Sequence, residues 1–135
     1  MKKLSLLLVI LAGLLVISCS KEKKSERFIF LTKPVWTSDT LLANGEDAGQ
    51  PGQLLAKFKG TAKFKEDGTG YFGAYTGNWR FNPDETQITI VTDSMLLPIV
   101  SNIIMLKIDA LKITTIVNDK ITGIPIDIRM TFSVK

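Results

Sequence analysis

The chain has 135 residues, 45% of them hydrophobic, and 17 lysines and arginines against 13 acids leave a net charge of +4. That length holds one domain around one core, and the charge falls to 15 − 13 = +2 once Lys2 and Lys3 are set aside, far below what displaces counterions from a nucleic acid. With no histidine and a single cysteine, ordinary zinc sites, histidine acid–base chemistry, serine–histidine and cysteine–histidine nucleophiles and an internal disulfide are all ruled out.

Met1-Lys2-Lys3 is a positive start, and the stretch from Leu4 to Ser18 is apolar apart from Ser5, Gly13 and Ser18. This is the layout of a secretory signal peptide over residues 1–18, and the run is shorter than the roughly 18 to 20 residues a membrane-crossing helix needs. Val16-Ile17-Ser18-Cys19 then resembles the lipobox of bacterial lipoproteins. The resemblance implies that the Cys19 thiol carries a diacylglycerol, that the peptide is cut just before it, and that the new amino terminus is acylated. Two or more buried chains make a stable anchor where one does not, so Cys19 is expected to hold the protein to a membrane and not to catalyse. Residues 19–27, the lipidated cysteine followed by Ser20-Lys21-Glu22-Lys23-Lys24-Ser25-Glu26-Arg27, bring no core-forming side chain and are expected to be a flexible tether. Serine after the cysteine, by resemblance to enterobacterial sorting rules, implies the outer membrane as the address within the cell envelope, with the periplasmic or surface face left open.

From about Phe28 the periodicity is two, the signature of strands. Val35 to Leu42 is expected to be one, followed by a glycine-rich loop over Asn44 to Gly52. Phe58 to Lys65 alternates with Phe58, Gly60, Ala62 and Phe64 inward, and Asp67-Gly68 turns it back into a strand that begins at Tyr71. Asn82-Pro83-Asp84-Glu85 joins the strands at 77–81 and 86–92 as a second hairpin. Ser94 to Leu106 fits either a buried strand after a turn or a short helix, with a core segment preferred over an exposed lid. Leu111 to Val117 and Ile126 to Lys135 are further strands, the last with every second residue apolar. Seven or eight short strands joined by tight turns must hide their edges, which predicts an all-β, small antiparallel up-and-down barrel over residues 28–135, in preference to a sandwich.

The order of Trp36, Phe64-Lys65-Glu66-Asp67-Gly68-Thr69-Gly70, Gly77-Asn78-Trp79-Arg80-Phe81-Asn82, Gln87-Ile88-Thr89-Ile90 and a late alternating strand resembles the short lipocalin-like lipoproteins of the Bacteroidetes. The resemblance implies a barrel whose interior takes a small apolar molecule. It also sets Arg129 where larger lipocalins pack an arginine against the early tryptophan, and Pro34 where they carry glycine.

Asp67, Asp84 and Glu85 sit in turns whose geometry already accounts for them, so no enzyme, metal or cofactor is expected. Trp36, Phe64, Tyr71, Trp79 and Phe81 are the expected pocket lining, with Gly60 and Ala62 leaving volume beside them. Two functions fit: a lipid-anchored carrier or sensor of a small apolar or amphipathic ligand, or an interaction module. In the second, a filled barrel contacts an envelope protein or polysaccharide through the 44–52 loop and the 95–106 stretch.

Overall fold

The computed structural model describes residues 23–95 and 97–135; the expected signal peptide, Cys19 and the tether as far as residue 22 lie outside them. The first described element is a helix where strand periodicity was expected. Ser25 is extended, and its hydroxyl accepts the Phe28 N–H at 3.0 Å, an N-cap that starts α1 at Glu26 and carries it to Thr32. Ser25, Glu26 and Arg27 therefore belong to this helix and its cap, not to a tether. Phe28-Ile29-Phe30-Leu31 is an apolar run too short for period two to be told from period 3.6, and the cap decides it. Leu31 and Thr32, three and four residues after Phe28, are buried.

Nine strands follow: β1 (Trp36–Ala43), β2 (Glu46–Asp47), β3 (Thr61–Phe64), β4 (Thr69–Phe72), β5 (Tyr75–Phe81), β6 (Gln87–Thr92), β7 (Ile99–Leu106), β8 (Ala110–Asn118) and β9 (Pro125–Ser133). From β3 to β9 each pairs antiparallel with the next, and β1 pairs with both β3 and β9, so eight strands close a barrel while β2 folds back on β1 as a spur. A register shift between Ser38 and Thr40 bends β1 between its two partners.

Alternation sets the core. Ile128, Met130 and Phe132 of β9 are buried, as are Ile88 and Ile90 of β6 and Leu111 and Ile113 of β8. The turns take the expected forms. Gly68 supplies φ +84 while the Asp67 carboxylate accepts the Thr69 N–H and hydroxyl at 2.9 and 2.6 Å. The Asn82 side-chain oxygen accepts the N–H groups of Thr86 and Gln87, both at 2.8 Å. The 94–106 stretch resolves into a turn and β7, whose outer face leaves Val100 and Ile104 exposed, so this strand is only half core.

Strand directions give the barrel two ends. Helix α1 and the β3–β4, β5–β6 and β7–β8 turns lie at one, the closed end. The 44–60 loop, the β4–β5 turn and the β6–β7 and β8–β9 loops lie at the other, the open end.

Candidate functional site

The closed end is a set of aromatic side chains tied by hydrogen bonds. Trp36 is fully buried and its indole N–H donates to the Leu31 carbonyl at 3.0 Å. The Lys63 ammonium donates to the carbonyls of Thr32, Lys33 and Pro34 at 2.6, 2.9 and 3.1 Å, closing the carboxyl end of α1. At the other end of that helix the Ser25 hydroxyl donates to the Glu85 carboxylate at 2.9 Å and Arg27 Nε donates to the Glu85 carbonyl at 3.0 Å. The indole N–H of Trp79 donates to the Lys65 carbonyl at 2.8 Å. Phe64 packs on Phe72 at 5.1 Å and edge-on to Trp79 at 5.6 Å.

Of the five residues expected to line a pocket, Trp36, Phe64 and Trp79 are interior core. Phe81 is half-buried, 5.4 Å from Trp79. With Phe28, Glu66, Asp67 and Arg80 these two border an open concavity of ≈ 340 Å³ at the closed end. Tyr71 faces outward: Gly70 and Phe72 take the inward positions on β4, and parity puts Tyr71 beside Lys63 and Thr76 on the outer surface. Gly60 precedes β3 as an exposed loop residue at φ +117, with open space where a side chain would stand, and of the two small residues only Ala62, buried opposite Trp36 and Phe72, belongs to the core. Arg129 also points outward, 3.1 Å from Asp127, far from any tryptophan stack. Asp67 serves its turn: the Thr69 hydroxyl and then the Thr69 N–H hold its carboxyl below the usual aspartate range.

The open end is covered differently. The loop from Asn44 to Gly60 is held at its flanks, where the Ala48 N–H donates to the Leu41 carbonyl and the Ala74 N–H to the Lys57 carbonyl, at 2.8 and 2.7 Å. It buries Leu55 between those points and Phe58 directly after the second, the latter 4.8 Å from the Tyr75 ring. Gly73, at φ +60, lets the β4–β5 turn approach the Lys57–Phe58 backbone so closely that any side chain would collide with it.

The wall opposite the aromatics, formed by β6, β7 and β8, is aliphatic with hydroxyls set into it. Thr92, Ser101 and Thr115 are buried at 4%, 0% and 8% exposure. Thr115 donates to the Val100 carbonyl at 2.7 Å, whereas the Thr92 and Ser101 hydroxyls have no hydrogen-bond partner among the described residues. Every buried side chain that is not apolar on the described surface is a threonine or serine, with no charge among them. Aromatic size does not reveal this feature, yet the sequence carries it. In Ile88-x-Ile90-x-Thr92 and Ile99-x-Ser101-x-Ile103 the hydroxyl stands where the strand period demands an apolar residue.

No family model and no curated protein matches this sequence. Among solved structures, the chain is similar in fold to bovine odorant binding protein in complex with a selenium-containing odorant, at 15% identity and a TM-score of 0.54, covering 87% of this chain and 78% of that one. It is likewise similar to bovine odorant binding protein complexed with its natural ligand, at 18% identity and a TM-score of 0.53, over 85% and 77% of the two chains. At these identities the likeness is one of fold: a small, closed, lipocalin-like antiparallel barrel.

Proposed function

We propose that this protein is a lipid-anchored binding protein of the cell envelope, which carries a small apolar or amphipathic ligand inside its barrel and catalyses no reaction. The observation that carries the reading is the asymmetry of closure. One end is stitched by side-chain hydrogen bonds to a capped helix, and the other is covered by a loop that is hydrogen-bonded at its flanks and inserts two apolar side chains, Leu55 and Phe58. A container that loads and unloads needs one fixed end and one end that opens. The fold shared with odorant binding proteins supports the same reading.

The anchor rests on Lys2-Lys3, the apolar run and Val16-Ile17-Ser18-Cys19, and Ser20 favours the outer membrane. A second reading, an interaction module, draws on the exposure of Leu97, Ile116 and Ile121 at 77%, 71% and 95% around the open end.

The test is native mass spectrometry on protein extracted from its own envelope. The expected result is a mature chain beginning at acylated Cys19 together with a stoichiometric small molecule that leaves only on denaturation. A clean apo mass, unchanged after exposure to a lipid extract, would overturn the carrier and leave the interaction module.

A further inference from the structure

We infer that the barrel lies on its side against the bilayer that holds its anchor, with the outer face of β7 and β8 set among the lipids. The inference rests on the anchor in the reading above and adds to it the face that meets the membrane. Twelve large apolar side chains are exposed among the described residues, and eight of them stand on β7, β8 and the loops that adjoin them. Val100 and Ile116 both point outward, and continuing the register of Asn102 with Thr114 sets them side by side. The register shift between Ile103 and Met105 places an extra residue on the outside, so that Ile104 and Met105 are both exposed while Leu106 still returns to the core. Ile108 continues the strip at the β7–β8 turn of the closed end, and Leu97 and Ile121 carry it to the rim of the open end.

An aliphatic strip of this extent marks a contact with protein or with lipid, and composition, shape and reach favour lipid. Protein interfaces draw most of their energy from tryptophan, tyrosine and arginine, and residues 97–124 contain no aromatic side chain and no arginine. A second copy would bring one convex barrel wall against another, and two such walls meet along a line, short of the roughly 1,200 Å² that a stable pair buries. A bilayer deforms around a convex wall, and it is close at hand. Six residue steps separate Cys19 from Ser25, at most about 22 Å of chain, and the Ser25 hydroxyl is bonded to Glu85 in the β5–β6 turn. In the sheet β6, β7 and β8 come next, so at about 4.8 Å per strand the strip begins roughly 10 to 15 Å around the wall, within that reach. Lys107, Lys112 and Lys120 against Asp109 and Asp119 leave 3 − 2 = +1 over residues 97–124. The attachment is therefore apolar, with side chains buried about 5 to 10 Å into the headgroup boundary.

The experiment couples the one thiol of the chain beginning at Cys19 to a maleimide lipid, in bicelles of phosphatidylethanolamine and phosphatidylglycerol that carry a lipid spin-labelled in its acyl chain. All described core residues and sheet pairings fall within residues 28–133, so that chain retains the whole barrel. The isoleucine methyl resonances report which face meets the label. Ile104, Ile116 and Ile121 are expected to lose their signals, and Ile29 on α1 to keep its own, at about 0.5 M salt as at low salt. Val100→Thr with Ile116→Thr, both on the solvent face, is expected to restore the signals of Ile104 and Ile121 without moving the melting temperature. In the uncoupled chain the same pair should lower partition into vesicles of the same lipids about tenfold. Loss at Ile29 and Ile108 with Ile116 and Ile121 sharp would show the barrel hanging end-on from its anchor and would overturn the inference. A dimer in sedimentation that the double substitution splits would overturn it in favour of a second copy, and a monomer with every methyl sharp in favour of another protein. The anchor is read separately: an unmodified Cys19 in protein extracted from its own envelope would overturn the anchor, while signal loss at Ile104, Ile116 and Ile121 in the coupled chain would keep the face.

Discussion

At the closed end, a seven-residue helix is fastened to the barrel by hydrogen bonds from Ser25, Arg27, Trp36 and Lys63, whereas at the open end the Asn44–Gly60 loop covers the barrel by placing Leu55 and Phe58 inside it. The two closures bury apolar surface alike and differ in how they are tied. The helix is bound to the barrel by side-chain hydrogen bonds at both of its ends, whereas the loop is bound to the barrel by backbone hydrogen bonds at its flanks, Ala48 to Leu41 and Ala74 to Lys57, and the segment between those flanks rests on apolar contacts of Leu55. One end is then a foundation and the other a cover, and local opening should be confined to the second.

Trp36→Ala should be the most damaging change. It removes a fully buried indole and the bond to Leu31 together, and a large cavity at such a site costs about 3 to 5 kcal/mol, read as a fall in the urea midpoint. Phe58→Ala sharpens the contrast: a smaller loss of global stability, with the largest change in hydrogen exchange of the 44–60 amides and in ligand off-rate. If Phe58→Ala lowered the midpoint as far as Trp36→Ala while loop exchange stayed unchanged, the open end would be core and not cover.

Lys63→Met comes next. It keeps the aliphatic stem and withdraws the donor from three carbonyls at once. Bonds from a charged group contribute about 1.5 to 3 kcal/mol, and partial exposure of Lys63 sets the expected loss near the lower figure. Exchange of the amides of α1 should speed up with that of the loop unchanged. Equal acceleration at both ends would mean that the two closures are coupled.

The sequence made the barrel legible where one face meets a core and the other meets water. The alternation of Ile126 to Val134 and the Asp67-Gly68 and Asn82-Pro83 turns are local signals, and each appears where its pattern places it. Residues 28–32 were not legible, because what makes them helical is a cap at Ser25 and partners distant in sequence, Lys63 on β3 and Glu85 in the β5–β6 turn. Tyr71 shows the cost of choosing site residues by size: its parity, fixed by Gly70 and Phe72, already directs it outward. Ser101 shows the reverse, a small residue whose position in the alternation says more than its volume.

The smallest expected effect concerns the tips of the hairpins, where the two ends use the same device. At the open end the Asp119 carboxylate accepts the N–H groups of Thr122 and Ile121 at 2.8 and 2.9 Å and the Thr122 hydroxyl at 3.0 Å, and these bonds, the Thr122 N–H foremost, hold its carboxyl below the usual aspartate range. Asp67 does the same at the closed end with Thr69. A depressed folded value means that the contribution is complete above the unfolded aspartate value of about 4 and is lost as the pH falls through the folded value below it. Both carboxylates sit at hairpin tips, Asp67 exposed and Asp119 half-buried, so the loss should be local and the melting temperature should scarcely move. Amide exchange at Ile121 and Thr122 is expected to gain in opening, beyond the intrinsic pH dependence, between pH 5 and pH 2, and Asp119→Asn should remove that gain. The Thr69 amide should behave in parallel, because a surface carboxylate answers to its own turn and not to the end of the barrel that carries it. If Thr69 stayed protected at pH 2 while Thr122 opened, the rigidity of the closed end would extend out to its turn tips, and the contrast between the ends would reach beyond the helix and the loop.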